Sequence, residues 1–495
     1  MYLTKSDFLK YQCCPSYLWL WKHKRESVPA NAEEALVHRL EQGNEVERYA
    51  QKLFAGAAEV KSKGSQARKE TEKLVAAGSQ TIFQATVLTD DGLLAMADMI
   101  SFEQDSQSWT LYEVKSTNSI KPDHIHDVAF QRLAFEEAGY RIGKICIIHL
   151  NKKYVRKTAI NPKDLLLTSD VTDRVGDILT TIRQQARDAL EVLARKSEPK
   201  GCSCKLKPRS GHCPTFQYFN PDVPEYSVFN IARLGGKKLA LLVDSEIYSV
   251  HEVPEDIKLT TIQQNQVDVS KSHRPMIDKQ AIAELMGELE YPLYFLDYET
   301  VSTAIPLYGG CSPFQQIPFQ YSLHVLPAPE AELEHYDFLG RDGTTTPVPE
   351  LLDNLDSQID PVAGRIIVWS KKFETSRNTD MARMYPQHTA FLEGLNERVF
   401  DLMEPFSKQL FVHHEFRGSN SIKSVLPVLV PEFSYKGMDI SNGEIAAIRW
   451  YEAVTGQVDA RQAQKTYDDL LKYCRLDTLA MVKIYEYLAK LVGTG

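Results

Sequence analysis

No stretch of this 495-residue chain approaches the roughly 18 consecutive apolar residues that a bilayer-spanning helix needs. The opening MYLTKSDFLKYQCCPSYLWLWKHK has no apolar run long enough for a secretory signal core. The expectation is a soluble, cytoplasmic protein with no membrane partner. Cysteine is scarce, with 8 residues in all. That is too few for a disulfide scaffold in so long a chain, so clustered thiols are expected to bind metal and isolated ones to pack. A G-x-x-x-x-G-K-[ST] run is missing, which excludes a P-loop motor within this chain. So is any excess of positive charge: 57 Lys and Arg face 66 Asp and Glu, for a net charge of -9. This excludes a uniformly basic nucleic-acid coat and leaves a local basic groove open. Internal repeats and low-complexity segments are absent as well.

What is present is 43% hydrophobic content over a length that implies about two to four domains. The pattern predicts helices over residues 1 to about 80, with a start signal at Thr4 and Ser6 and helical apolar spacing from Asn31 to Phe54. From 81 to 160, the alternating runs TIFQATVL, LLAMADMISF, WTLYEVKS and KICIIHLN surround one amphipathic stretch that ends at Gly139. That texture predicts a strand-rich sheet with an inserted helix. A long helix from about Asp170 to Lys196 follows, then a Cys-, Gly- and Pro-rich loop from Gly201 to Pro214. Short strand signals from Ile231 to Val250 and a helix near Asp278 to Leu289 read as a connector. Strands return in YPLYFLDYET, FQYSLHVL and RIIVWS before a mainly helical end. The fold class is α/β and multidomain, with domains at 1–222 and 290–495 and a connector subdomain at 223–289.

Asp98 lies in one predicted strand, and Glu113 and Lys115 share a face of the next. Carboxylates on adjacent strands hold Mg²⁺ or Mn²⁺, and an ammonium beside them positions water or steadies a phosphate. On the helix that follows, Asp127 and Gln131 share a face. Taken alone, the spacing fits an ordinary edge strand with solvated charges equally well. The run from Asp98 through EVK to Gln131 resembles the RecB branch of the PD-(D/E)XK nucleases. The resemblance implies a restriction-endonuclease-like domain whose catalytic residues are Asp98, Glu113, Lys115 and Gln131. That branch commonly carries G-x-x-V/I-H upstream, with the His in the metal site. Here GNEVE puts Glu47 at that place, as a metal ligand or a solvated helix charge.

Cys202, Cys204 and Cys213 crowd into twelve residues flanked by Gly and Pro, and a tetrahedral thiolate site needs a fourth ligand. Cys13 and Cys14 lie far upstream. The arrangement resembles iron–sulfur RecB-type nucleases, including the spacer-acquisition nucleases of CRISPR systems, with one Cys before the core and three after it. The C-P-x-x-L-W-L match then implies Cys14 as the fourth ligand of a [4Fe–4S] cluster, with zinc and no metal as alternatives. Cys146, Cys311 and Cys474 read as packing residues.

FLDYET places Asp297 and Glu299 on one face of an otherwise apolar strand, where buried acids require compensation and metal ions are the usual remedy. Near the end of the chain, Tyr473 and Asp477 are four apart on a predicted helix. D-x-E on a first strand with Y-x-x-x-D on a late helix resembles the DEDDy exonucleases of the DnaQ group, which implies an RNase H-like domain. IIVWSKKFETS resembles that group's middle motif, with Ser370 and Glu374 in place of its Asn and Asp. The resemblance implies two metals, Mg²⁺ or Mn²⁺, about 3.5 to 4 Å apart on one phosphate, with Tyr473 orienting the attacking water. Asp401 reads as another acid or a helix-start charge, and Lys423 in SNSIKSVLP as a phosphate contact or a solvated loop. Tyr298, Tyr308 and Phe314 read as stacking platforms for unpaired bases or as core.

The succession of motifs also looks like an uncharacterised bacterial family in which a DnaQ-like domain follows a RecB-like one. The expected function is a two-site nuclease acting on DNA ends or single strands in repair, recombination or mobile-element defence, with a helicase or defence complex as partner. The alternatives are an RNA-directed 3′–5′ exonuclease with the first domain as a clamp, or a catalytically decayed nucleic-acid-binding subunit.

Overall fold

Thr4 closes a two-residue strand, β1 (Leu3–Thr4), and caps α1 (Lys5–Cys13). Its hydroxyl accepts the Asp7 N–H while the Asp7 carboxylate accepts the Thr4 N–H, a reciprocal cap that fixes where the first turn of α1 begins. The computed structural model describes residues 2–29, 33–435 and 437–493. It divides into one unit of Met1–Asp222 with Thr303–Gln315 and a second of Val223–Ser302 with Gln316–Gly495.

In the first unit, Pro15 at the first helical position starts α2 (Pro15–His23) directly after Cys14. There follow α3 (Glu33–Gln51), β2 (Ala58–Glu59), α4 (Ser65–Ala76), β3 (Thr81–Leu88), β4 (Leu93–Glu103) and β5 (Ser108–Lys115). Asn31, where the sequence places the start of α3, lies outside the described residues. Then come α5 (Pro122–Glu137), β6 (Ile142–Leu150), α6 (Pro162–Leu165), β7 (Leu166–Asp170), α7 (Thr172–Ala194) and α8 (Phe216–Phe219). The sheet order is β2-β3-β4-β5-β6-β7, with β1 pairing parallel to the start of β4. β5 and β6 are parallel, which demands a crossover, and α5 supplies it. Most of α5 is buried, so Asp127 and Gln131 are carried inward along with Val128, Phe130 and Phe135. Val46, Met99, Ile148 and Leu165 form a core that also takes in Ala304 and Ile305.

The second unit holds α9 (Gly236–Asp244), α10 (Thr261–Ser272), β8 (Met276–Ile277), α11 (Lys279–Met286), β9 (Leu293–Val301), β10 (Ile317–Leu326) and β11 (Glu334–Leu339). It continues with α12 (Val348–Asp356), β12 (Arg365–Val368), α13 (Lys371–Met384), α14 (Thr389–Glu397), β13 (Val399–Asp401) and α15 (Glu404–Ser407). β14 (Phe411–Val412), α16 (Ile422–Leu429), α17 (Gly443–Val454) and α18 (Ala460–Val492) complete it. Its sheet runs β11-β10-β9-β12-β13, antiparallel across the first three strands and parallel across the last three.

The strand signals from Ile231 to Val250 are a misreading, because this stretch forms the helix α9. Leu239, Leu242 and Val243 are its buried face, and so short an apolar run fits either period. The end of the 223–289 stretch, from β8 through α11, packs with the strands that follow it. β8 pairs with β14, and Ile282 and Met286 of α11 share one core with Leu293 and Phe295. Among the described residues no helix is long and apolar enough to cross a membrane.

Candidate metal centres

β9 presents Leu293, Phe295, Asp297 and Glu299 to one side, since alternate residues of a strand share a face. On α18, Tyr473, Asp477, Met481, Ile484 and Leu488 recur every three or four residues and form one stripe. Leu293 and Phe295 pack with Met481, Ile484 and Leu488 in a single core. Burying side chains of that size stabilises the docking by about 1.5–3 kcal/mol each. The same docking brings the polar ends of both stripes together. The carboxylate oxygens of Asp297, Glu299 and Asp477 lie within 4.8 Å of one another.

Little compensates these acids. Burial, and then the charge of Asp477, push Asp297 well above the usual carboxylate range, and Glu299 is raised by burial, Asp297 and Asp477. Burial also raises Asp477, to about 6, against the opposing pull of Tyr435 and Lys423. The Tyr435 hydroxyl donates to Asp477 Oδ1 at 2.6 Å. Lys423 Nζ lies 3.3 Å from the Tyr473 hydroxyl and 5.2 Å from the centres of both tyrosine rings, and it also donates to the Ser441 carbonyl. The Cys474 sulfur sits 3.8 Å from Asp297 Oδ2.

Glu374 lies in the first turn of α13, just after Ser370, whose φ of 137° is a strained value for a residue with a Cβ. The structure does not bring Glu374 into the three-acid group, although its Oε2 is buried with no hydrogen-bond partner. Burial, then Asp297 and Glu299, raise its carboxyl well above the usual range. Asp401 is engaged otherwise: it accepts the backbone N–H groups of Lys371 at 2.9 Å and Met403 at 3.0 Å. Tyr298 and Tyr308 are buried, which makes them core and not stacking platforms, and Phe314 is partly buried against the core of the first unit.

In the first unit, Asp98 of β4, Glu113 and Lys115 of β5 and Asp127 and Gln131 of α5 do meet. Lys115 Nζ donates to Glu113 Oε1 at 2.7 Å and to Asp127 Oδ2, and Gln131 Nε2 donates to Glu113 Oε2 at 2.7 Å and Asp127 Oδ1 at 3.0 Å. Asp98 Oδ2 accepts the Val114 N–H at 2.7 Å. A residue the sequence reading missed, Lys5, donates to Glu113 Oε1 at 2.7 Å and lies 3.5 Å from Asp127 Oδ1. Burial alone would raise Glu113, but Lys5 and Lys115 outweigh it and hold the carboxyl at about 2. Burial and then Glu113 push Asp98 well up. Glu47 stands at the margin, bonded to Gln84 and to Gln51 at 3.3 Å, with its carboxyl raised by burial.

The cysteine expectation meets a defined cradle. The sulfurs of Cys14, Cys202, Cys204 and Cys213 lie within 4.8 Å of one another and all four residues are buried. Cys14 Sγ is 3.4 Å from Cys202 Sγ, which is 3.5 Å from Cys213 Sγ. Cys13 joins only through its carbonyl, which accepts from Lys207 Nζ at 3.0 Å. This buried all-thiolate set can hold a metal. Cys146, Cys311 and Cys474 are buried outside it.

Residues 294–421 match the model of a domain of unknown function (DUF2779). That stretch contains Asp297, Glu299, Glu374 and Asp401 and stops short of Lys423, Tyr473 and Asp477. The chain is similar to "Uncharacterized protein UU173" of Ureaplasma parvum, 23% identical over 294 residues, which cover 54% of this chain and 41% of that protein. It is also similar to "Uncharacterized protein MG366 homolog" of Mycoplasma pneumoniae, 24% identical over 230 residues, or 42% of this chain and 34% of that protein. The matched region thus spans less than half the length of these curated relatives.

Proposed function

We propose that the chain is a metal-dependent nuclease that hydrolyses phosphodiester bonds of DNA, at ends or in single strands, through two sites. The observation that carries this reading is the convergence of the Asp297, Glu299 and Asp477 carboxylates, with no ion pair to any of them among the described residues. Oxygen-only ligands on a rigid strand and helix suit Mg²⁺ or Mn²⁺. Divalent ions held there supply an activated water and neutralise charge on the phosphate. Tyr473 would hold the attacking water, Lys423 would contact a phosphate oxygen, and Glu374 adds an acid at the margin. Three antiparallel strands continuing into parallel ones support an RNase H-like second domain. The β5-α5-β6 crossover carrying Glu113, Lys115 and Gln131 supports a PD-(D/E)XK first domain. The expected setting is cytoplasmic DNA repair, recombination or mobile-element defence beside a helicase or defence complex.

For the cysteines we favour a [4Fe–4S] cluster on Cys14, Cys202, Cys204 and Cys213, supported by all-thiolate ligation and the likeness to iron–sulfur RecB-type nucleases. One observation favours a second reading, a single zinc ion. The 3.4 and 3.5 Å sulfur separations are close to the roughly 3.8 Å edge of a tetrahedron with arms of about 2.3 Å. A cubane gives each thiolate its own iron and spreads the sulfurs. Iron, acid-labile sulfide and zinc analysis of anaerobically purified protein separates the two.

The function is tested by digesting end-labelled single-stranded DNA and RNA with Mg²⁺ or Mn²⁺, using wild type, Lys115→Ala, Asp297→Ala and the double variant. Each single variant is expected to lose a distinct set of DNA products, and the double variant to be inert. Intact substrates after incubation with wild type would defeat the nuclease reading and favour a binding subunit.

A further inference from the structure

Glu113 Oε1 has no lone pair to spare. It accepts from both Lys5 and Lys115 at 2.7 Å, and Oε2 of the same carboxylate accepts from Gln131 at 2.7 Å. A divalent ion that binds at Oε1 therefore has to displace one of its two ammonium donors. Gln131 is fully buried on α5, and Lys115 is tied to Asp127 as well as Glu113. Lys5 is the more exposed of the two lysines: it stands at the first position of α1, and its side chain is 27% exposed against 18% for Lys115.

Its position is also the one a metal ion would take. Lys5 Nζ bonds Glu113 Oε1 at 2.7 Å and lies 3.5 Å from Asp127 Oδ1, and its charge also opposes the effect of burial at Asp98 and Glu47. It reaches them from the opposite end of the unit's sequence, since the parallel pairing of Leu3 with Leu93 and Thr4 with Leu94 sets the start of α1 beside β4. The contrast with the second site is instructive. There no lysine is bonded to Asp297, Glu299 or Asp477 among the described residues, and three carboxylates converge. In the first site a lysine stands between them, and no such three-acid group forms.

We propose that Lys5 is the resident counter-ion of the first site, and that a divalent metal loads by displacing it from Glu113 and Asp127. This rests on the nuclease reading of Asp98, Glu113 and Lys115. The site is then metal-free at rest, and its metal affinity is set by competition with a lysine of the same chain. Removing that lysine leaves the acids with Lys115 alone, and divalent binding tightens.

The test is a Mn²⁺ titration of the full chain, followed by the electron paramagnetic resonance signal of free Mn²⁺, in an Asp297→Asn, Asp477→Asn background that disables the second site. Lys5→Met is expected to tighten binding at the first site at least tenfold, and Glu113→Gln to abolish it. Unchanged or weaker binding in Lys5→Met overturns the proposal. A second readout keeps Lys5 in place. Its acylation by an amine-reactive ester, followed by mass spectrometry in the wild-type chain, is expected to rise severalfold on adding Mn²⁺, and a flat response overturns the proposal independently of how Lys5→Met folds. If the nuclease reading itself is at fault, Glu113→Gln leaves Mn²⁺ binding untouched, and both ideas fall together.

Discussion

Tyr435 donates its hydroxyl to Asp477 at 2.6 Å from a position 42 residues upstream, while Tyr473 sits one turn before Asp477 on α18 itself. The two tyrosines approach Asp477 from different segments. On the proposed reading Tyr435 would hold the metal ligand Asp477, and Tyr473, which Lys423 touches, would orient the attacking water. Tyr435→Phe removes a bond that lowers the Asp477 carboxyl, so the Mn²⁺ concentration for half-maximal activity is expected to rise. A bond to a charged group is worth about 1.5–3 kcal/mol, so the change should be roughly tenfold or more. Tyr473→Phe is expected to lower kcat by a similar factor while leaving the Mn²⁺ midpoint in place. Kinetics across a Mn²⁺ series check both.

The buried acids of the second site make a stability prediction whose sign depends on metal. Burial raises Asp297, Glu299 and Glu374 in the folded chain, so that chain holds protons that the unfolded chain has released. Stability therefore falls as pH rises past the unfolded carboxylate range, and the acids oppose folding most at alkaline pH. In EDTA at pH 8, Asp297→Asn is expected to raise Tm by a few degrees, equivalent to about 1–2 kcal/mol. Mn²⁺ should raise the Tm of wild type by binding the folded state at both sites and raise that of the variant less, through the first site alone. A lower Tm for the variant in EDTA would mean that the acids are already compensated.

Cys13 and Cys14 are adjacent, yet only Cys14 turns its sulfur into the cradle. Cys14 and Cys202 are 188 residues apart in sequence, so a metal that joins them closes a long loop of the unfolded chain. Cys14→Ser is expected to lose the bound metal and lower Tm by roughly 5 °C or more. Cys13→Ser should keep both, because the contact it makes with Lys207 is through the backbone. Metal analysis and calorimetry on the two variants decide the matter.

Much of this was legible from local spacing. Period two placed Asp297 with Glu299 and Glu113 with Lys115, and period four placed Tyr473 with Asp477 and Asp127 with Gln131. The crowding of Cys202, Cys204 and Cys213 likewise pointed to their cradle, because such contacts are set by one element's own geometry. Lys5 and Tyr435 were not legible. Lys5 reaches Glu113 across 108 residues through a two-residue parallel pairing, and Tyr435 reaches Asp477 from an irregular segment. Neither has a period to betray it. The grouping of Thr303–Gln315 with the first unit was hidden for the same reason. Ala304 and Ile305 lie beyond the end of β9 in no period of their own, and their burial depends on what surrounds them.

His324 supplies a prediction remote from any metal. It is buried in β10, and its Nδ1 lies 2.8 Å from the Thr478 hydroxyl, which is itself 2.8 Å from the Ser322 hydroxyl. The His335 ring lies tilted beside it, with ring centres 4.4 Å apart. Burial first, then the charges of His335 and Arg475, lower its pKa to about 3. The unfolded chain takes up this proton near pH 6.5, well before the folded chain does, so the contribution of a neutral His324 is complete above about pH 6.5. It is lost progressively as the pH falls toward about 3. The loss amounts to a few kcal/mol, on the order expected from linkage. His324→Asn keeps a polar partner for Thr478 and cannot titrate. Its Tm is expected to start lower than that of wild type at pH 7.5 and to fall less between pH 6.5 and 4, so the two acid limbs converge. Parallel limbs would place the acid sensitivity of the fold elsewhere.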